Sequence, residues 1–97
     1  MTDEAPVTKS VVFTRHARER MQERGAREED VRAALSFGHR EPAQRGLVLY
    51  RINVEFKREW DGRYYGVQQI VPVVDEEAER IVVVTVYTFY FQEGDSR

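Results

Sequence analysis

The chain has 97 residues, enough to close around one hydrophobic core but not two, and its 41% hydrophobic and 33% charged residues describe a folded globular chain. A formal net charge of −2 excludes a generally basic nucleic-acid trap, and the absence of cysteine excludes disulfides, thiolate catalysis and cysteine-ligated zinc. No apolar run nears the roughly 20 residues that span a bilayer, and the start "MTDEAPVTKS" is unlike a secretory leader, so the expectation is one cytoplasmic domain over 1–97, its core at about 10–91 and its ends, 1–9 and 92–97, frayed.

In chain order, Ser10 to Phe13 ("SVVF") is a short apolar run that reads either as a brief strand or as the lead-in to a helix. From Thr14, a natural N-cap, the spacing turns helical. Phe13, Ala17 and Met21 form one stripe, and Gly25 stands where a left-handed C-cap belongs, which predicts a first helix over about 15–24. A second helix follows at once: Glu28, Glu29 and Asp30 suit the positive end of its dipole, Val31, Ala34 and Leu35 make its inner face, and Gly38 stops it.

After His39 to Gln44 the period becomes two. In "VLYRINVEF" the residues Val48, Tyr50, Ile52, Val54 and Phe56 share one face. Asp61-Gly62 signals a hairpin, leading to "RYYGVQQIVPVV", where Pro72 removes a ladder donor and predicts an edge position or a bulge. The acidic turn "DEEAER" then precedes "IVVVTVYTFYF", the most apolar segment and the expected central strand. The expected fold class is therefore α+β, with two N-terminal helices packed on one face of a three- to four-stranded antiparallel sheet.

Charge is unevenly spread. Arg15, Arg18, Arg20, Arg24 and Arg27 outnumber Glu19 and Glu23, whereas Asp75, Glu76, Glu77 and Glu79 cluster in the later turn. Of the 15 basic residues, 13 are arginine, the better bidentate partner for phosphate or carboxylate, although a GC-rich genome would produce the same bias.

The stretch "RHARERMQERGAREEDVRAALSFG", followed by strands ending in "VVVTVY", resembles the bacterial domain-of-unknown-function family four-two-five-eight, whose His-Ala-x-x-Arg-Met-x-x-Arg-Gly pattern matches at His16, Ala17, Arg20, Met21, Arg24 and Gly25. The likeness covers roughly residues 13–90. It implies a RelE-like fold of the barnase, EndoU and colicin type, a toxin-type ribonuclease role, RNA or the ribosome as a target, and an antitoxin-like partner. Ala26 departs from a larger aliphatic residue usual there, and Arg27 from a capping Ser or Thr.

Metal-independent RNA cleavage needs a base, an acid and positive charge for the phosphorane. His16, Arg20 and Arg24 recur at i, i+4 and i+8 and share a helix face. His16 is the physiological-pH proton carrier there, Arg20 and Arg24 could clamp a phosphate, and Tyr87, on the same strand face as Thr85, could position a base or ribose. These four are the candidate catalytic residues, with Arg15, Arg18 and Arg27 as candidate RNA contacts. The same residues also fit plainer roles: His16 as a packed or capping residue, the arginines in ion pairs, the tyrosines as strand formers. His16 and His39 lie too far apart in sequence, without a carboxylate motif, to predict a metal site, and no motif for a cofactor appears. The alternative function is a non-catalytic interaction module that binds an acidic partner or forms a homodimer, using the arginine-rich helix or the sheet edge expected near Pro72.

Overall fold

In the computed structural model, residues 9–92 are described. The frayed ends expected at 1–9 and 92–97 therefore lie almost wholly outside the described residues, although Lys9 donates from Nζ to the Glu77 carbonyl at 2.9 Å. The elements are β1 (Ser10–Phe13), α1 (Arg15–Arg24), α2 (Glu28–Phe37), β2 (His39–Pro42), a short 3₁₀ turn (Gln44–Gly46), β3 (Val48–Trp60), β4 (Arg63–Glu76) and β5 (Arg80–Phe91).

Both helices form where the sequence places them. Thr14 accepts a hydrogen bond from the Ala17 amide at 3.0 Å as the N-cap of α1. Gly25 closes α1 in the left-handed conformation at φ 77°, and Ala26 N–H returns to the Met21 carbonyl at 2.9 Å. A β-carbon at Gly25 would sit 2.8 Å from the Trp60 ring and 2.9 Å from the Tyr90 hydroxyl, so both backbone angle and space require glycine. Gly38 ends α2 in extended backbone; there the requirement is space, since a β-carbon would lie 2.6 Å from the carbonyls of Ala34 and Arg51.

The sheet corrects the expected three- to four-stranded antiparallel layout, RelE-like arrangement included. It has five strands in the order β1-β5-β4-β3-β2, and it is mixed: β1 runs parallel to β5, with Ser10 opposite Arg80 and Phe13 opposite Val83. The helices follow the first strand instead of leading the chain, so β1-α1-α2 acts as a crossover that returns the chain to the far side of the sheet. The extra strand β2 reads "HREP" and lacks the apolar alternation that marks a strand; Arg40 and Glu41 belong to it only because they pair with Tyr50 and Leu49.

The centre of the sheet is β4, not β5 as expected. Its run Ile70–Val74 is buried throughout between β5 and β3, while Tyr87 and Phe89 on β5 each keep 45% exposure. Pro72 consequently lies in the middle strand, not at an edge. It faces Val86, whose carbonyl turns away from β4 to receive Arg24. An antiparallel residue points its N–H and C=O to the same side, so this pair asks no donor of Pro72; the missing donor falls on the β3 side, where the ladder passes from Leu49–Val73 to Ile52–Ile70 without pairing Pro72. The register slips beside it, between Val73 and Val74, where β5 spends Val84 as a bulge residue.

Ala17, Met21, Val31, Ala34 and Leu35 from the helices close on Tyr50, Ile70, Val74, Ile81, Val83 and Val86 of the sheet, with Phe13, Val48, Ile52 and Val54 packed around them. Among the described residues, no α-helix covers the opposite face of the sheet.

Candidate functional site

The seven candidate residues of the sequence reading sit on α1, just beyond it, and on β5. The two ends of α1 are pinned along the margin of β5 that β1 leaves uncovered. Thr14 Oγ1 donates to the Val84 carbonyl at 3.4 Å, and Arg24 Nη1 donates to the Val86 carbonyl at 2.9 Å. Arg24 also lies over the Tyr87 ring, 4.9 Å from its centroid. Its own carbonyl, one of the orphan acceptors at a helix end, receives Thr88 Oγ1 at 3.0 Å and the Tyr90 hydroxyl at 2.5 Å. Arg24 and Tyr87 are thus brought together, and Arg24 serves as a cap on an open strand edge.

The remaining arginines are tied to carboxylates. Arg20 pairs with Glu23; Arg15 lies 3.6 Å from Glu19, Arg18 3.2 Å from Glu28, and Arg27 3.2 Å from Glu29 and 3.3 Å from Asp30. Arg32 joins the same group through Glu28 at 2.8 Å, and these hydrogen bonds from Arg32 and Arg18 hold the Glu28 carboxyl below the usual range. Arg18 and Arg32 further cover the Phe13 ring at 4.7 and 5.5 Å. The positive surplus of this segment is largely spent within the helical layer.

His16 is exposed and makes no hydrogen bond or ion pair among the described residues. His39 lies on β2, 3.9 Å from Glu41, at the opposite edge of the sheet from α1, so the two histidines do not meet. Among the described residues, no cluster of three or more His, Asp or Glu side chains could hold a metal ion, and no helix is long and apolar enough to cross a membrane.

Three features escaped the sequence reading. Gln68, the buried polar side chain of β4, donates to the Gly25 carbonyl at 3.0 Å and to the Tyr90 hydroxyl at 3.1 Å, while Tyr90 stacks on Trp60 at 5.4 Å and meets Phe56 edge-on at 5.2 Å. This is the seat on which the α1–α2 junction rests; the glutamine pair Gln68-Gln69 amid strand apolars was the sequence signal for it. A second network ties β2, β3 and β4: Arg40 donates to Glu76 at 2.7 and 3.3 Å, and the Tyr50 hydroxyl donates to the same carboxylate. Third, on the helix-free face, the segment between β2 and β3 overhangs the sheet and bounds an open pocket of about 450 Å³. Leu49, Val73, Thr85 and Tyr87 face it, and Gln44 and Arg45 line its border. The sequence pointed to Tyr87 but not to the pocket beside it, because the overhang is set by tertiary structure.

Two helices on one face of a five-stranded mixed sheet, an arginine capping the bare edge of β5 and an open pocket behind that strand define the molecule. Residues 13–88 match the family model described as Domain of unknown function (DUF4258), and the chain belongs to that family. Comparisons with curated proteins and with solved structures find no match.

Proposed function

We propose that the protein is a non-catalytic interaction module that self-associates through the bare edge of β5. The observation that carries this reading is the contrast among the sheet's edges. β2 is guarded by Arg40, Glu41 and Pro42, and β1 is only four residues long; both devices discourage further strand pairing. The β5 edge beyond Val83 meets no other described strand; past the Val84 and Val86 carbonyls, which Thr14 and Arg24 occupy, its residues Tyr87–Phe91, "YTFYF", hold neither charge nor Gly nor Pro. Such a segment is a template for another strand unless something covers it.

A second copy fits, since antiparallel pairing of an uncharged strand with itself about a two-fold axis sets no like charges opposite each other. An acidic partner docking on α1 gains less support, because the arginines there already hold carboxylates. Light scattering over about 1 to 100 μM should follow a monomer–dimer equilibrium by mass action. Phe89→Lys, which would set two lysines near each other across the axis, is expected to leave a folded monomer. A wild type that stays monomeric throughout, or a variant that dimerises equally well, would overturn the reading.

Metal-independent RNA cleavage is the second reading, as a toxin-type ribonuclease held by an antitoxin-like partner. It is favoured by exposed His16 on the same helical stripe as Arg20 and Arg24, with Tyr87 beside Arg24. RNA cleavage or growth arrest by the wild type that is lost in His16→Ala and in Arg20→Ala, at unchanged thermal midpoint, would establish it. The interaction module predicts no cleavage by any of the three.

A further inference from the structure

We infer that the pocket on the helix-free face is a binding site for a small apolar anion, with Arg45 as its charge-recognising residue. The pocket shares Tyr87 with the β5 edge but does not depend on association through it. Leu47, Leu49, Val73 and Val84 give the pocket an apolar body, and Tyr87 closes one side, braced by the Arg24 guanidinium. At about 450 Å³ it falls within the size range of small-molecule sites, which typically join an apolar lining to one or two placed polar groups.

Arg45 is that group. Most arginines of this chain lie against a carboxylate, but Arg45 is exposed at the pocket border and meets none among the described residues. Its backbone is also held at φ 60° and ψ 35°, the left-handed region that an L side chain seldom adopts. The loop fixes that conformation through its own hydrogen bonds, Ala43 N–H to the Leu47 carbonyl at 2.9 Å and Leu47 N–H to the Gln44 carbonyl at 3.0 Å. A glycine would adopt this angle freely, as the adjacent Gly46 does at φ 75°. Placing an arginine here works against the fold, and strain of this kind is characteristic of positions kept for a side chain's function. A free guanidinium over an apolar cleft suits a carboxylate or phosphate head on a planar or branched apolar body.

Calorimetric titration of the full-length protein with 1-naphthoate, 1-naphthyl phosphate and the uncharged 1-naphthylmethanol tests this. At least one anion should bind and the alcohol should bind more weakly; which anion binds better tells carboxylate from phosphate. Arg45→Gly is expected to weaken the preferred anion by about ten-fold or more, the loss of a charge-assisted contact, to leave the alcohol unaffected, and to preserve or raise the thermal midpoint. Leu49→Glu, which puts a negative charge into the apolar body, should abolish binding of the anion. Absence of binding by all three probes at about 1 mM, equal binding of anion and alcohol, or an Arg45→Gly variant that binds like the wild type would each overturn the assignment. A lowered midpoint in Arg45→Gly would overturn the claim of strain.

Discussion

Gly25 shows how much one residue can decide. Its left-handed backbone lets α1 turn into α2 within three residues, and its missing side chain lets Trp60 and Tyr90 close beneath the junction. Gly25→Ala combines an unfavourable backbone angle with a β-carbon inside the Trp60 ring contact. We expect a loss of about 2–4 kcal/mol in denaturant unfolding, the sum of a left-handed penalty and overpacking; a loss below about 0.5 kcal/mol, the range of a neutral surface change, would show that the junction rearranges freely. That Gly25 ends the helix was legible in the sequence, whereas its contact with Trp60 was not, because 35 residues and two strands separate them. The same distance effect governs the candidate site. His16, Arg20 and Arg24 stood out as residues that helix formation did not explain, yet Arg24 does have a structural role: it satisfies the Val86 carbonyl on a strand edge 62 residues away. Arg20 has a local partner in Glu23. Of the three, His16 alone retains no partner among the described residues.

At the level of elements, legibility followed the strength of local signals. Caps and periodicity placed the first helix at about 15–24 and a second after it that Gly38 stops, as found, since Thr14, Gly25 and Gly38 are punctuation read by the backbone itself. The period-two face of β3, with Tyr50 and Phe56 buried, was equally plain. β2 was illegible because an edge strand of three polar residues and a proline is held by pairing with β3, not by a buried face. The order of strands was not legible, because apolarity does not measure centrality in this sheet. β5 is rich in aromatics and lies next to the edge, half uncovered, while β4 carries Pro72 at the centre, where the ladder to β3 leaves Pro72 unpaired. That reversal moves the candidate pairing edge from Pro72 to β5. Strand residues 87–91 are rich in β-formers and meet no other described strand, and this pairing of traits makes edge-to-edge association a property of the element instead of any single side chain.

Across the whole molecule, a side-chain network at one corner of the sheet links β2, β3 and β4. Glu76 on β4 receives Arg40 from β2 and the Tyr50 hydroxyl from β3. Hydrogen bonding from Arg40 holds the Glu76 carboxyl below its ordinary value of 4.5, with Tyr50 adding to the effect and burial opposing it. Burial in turn raises the Tyr50 hydroxyl, with Glu76 reinforcing it, so Tyr50 remains a neutral donor. The sign of the linkage follows: a carboxyl whose folded pKa is depressed contributes stability that is complete above the unfolded value and lost as the pH falls through the folded one. Glu76→Gln should therefore cost about 1–3 kcal/mol at neutral pH, the range for a hydrogen bond to a charged group. The gap in thermal midpoint between wild type and variant should stay constant from neutrality down to about pH 5, then narrow below 4.5 as the wild type takes up its proton. Glu77→Gln is the internal control. Its partner Arg80 lies at 2.6 Å, but the Glu77 side chain is 39% exposed, and an exposed pair of this kind contributes at most about 1 kcal/mol. A Glu76→Gln gap that persists undiminished to about pH 3, well below both reference carboxylate values, would mean that the β2–β3–β4 corner is held by packing around Tyr50 and not by the charge on Glu76.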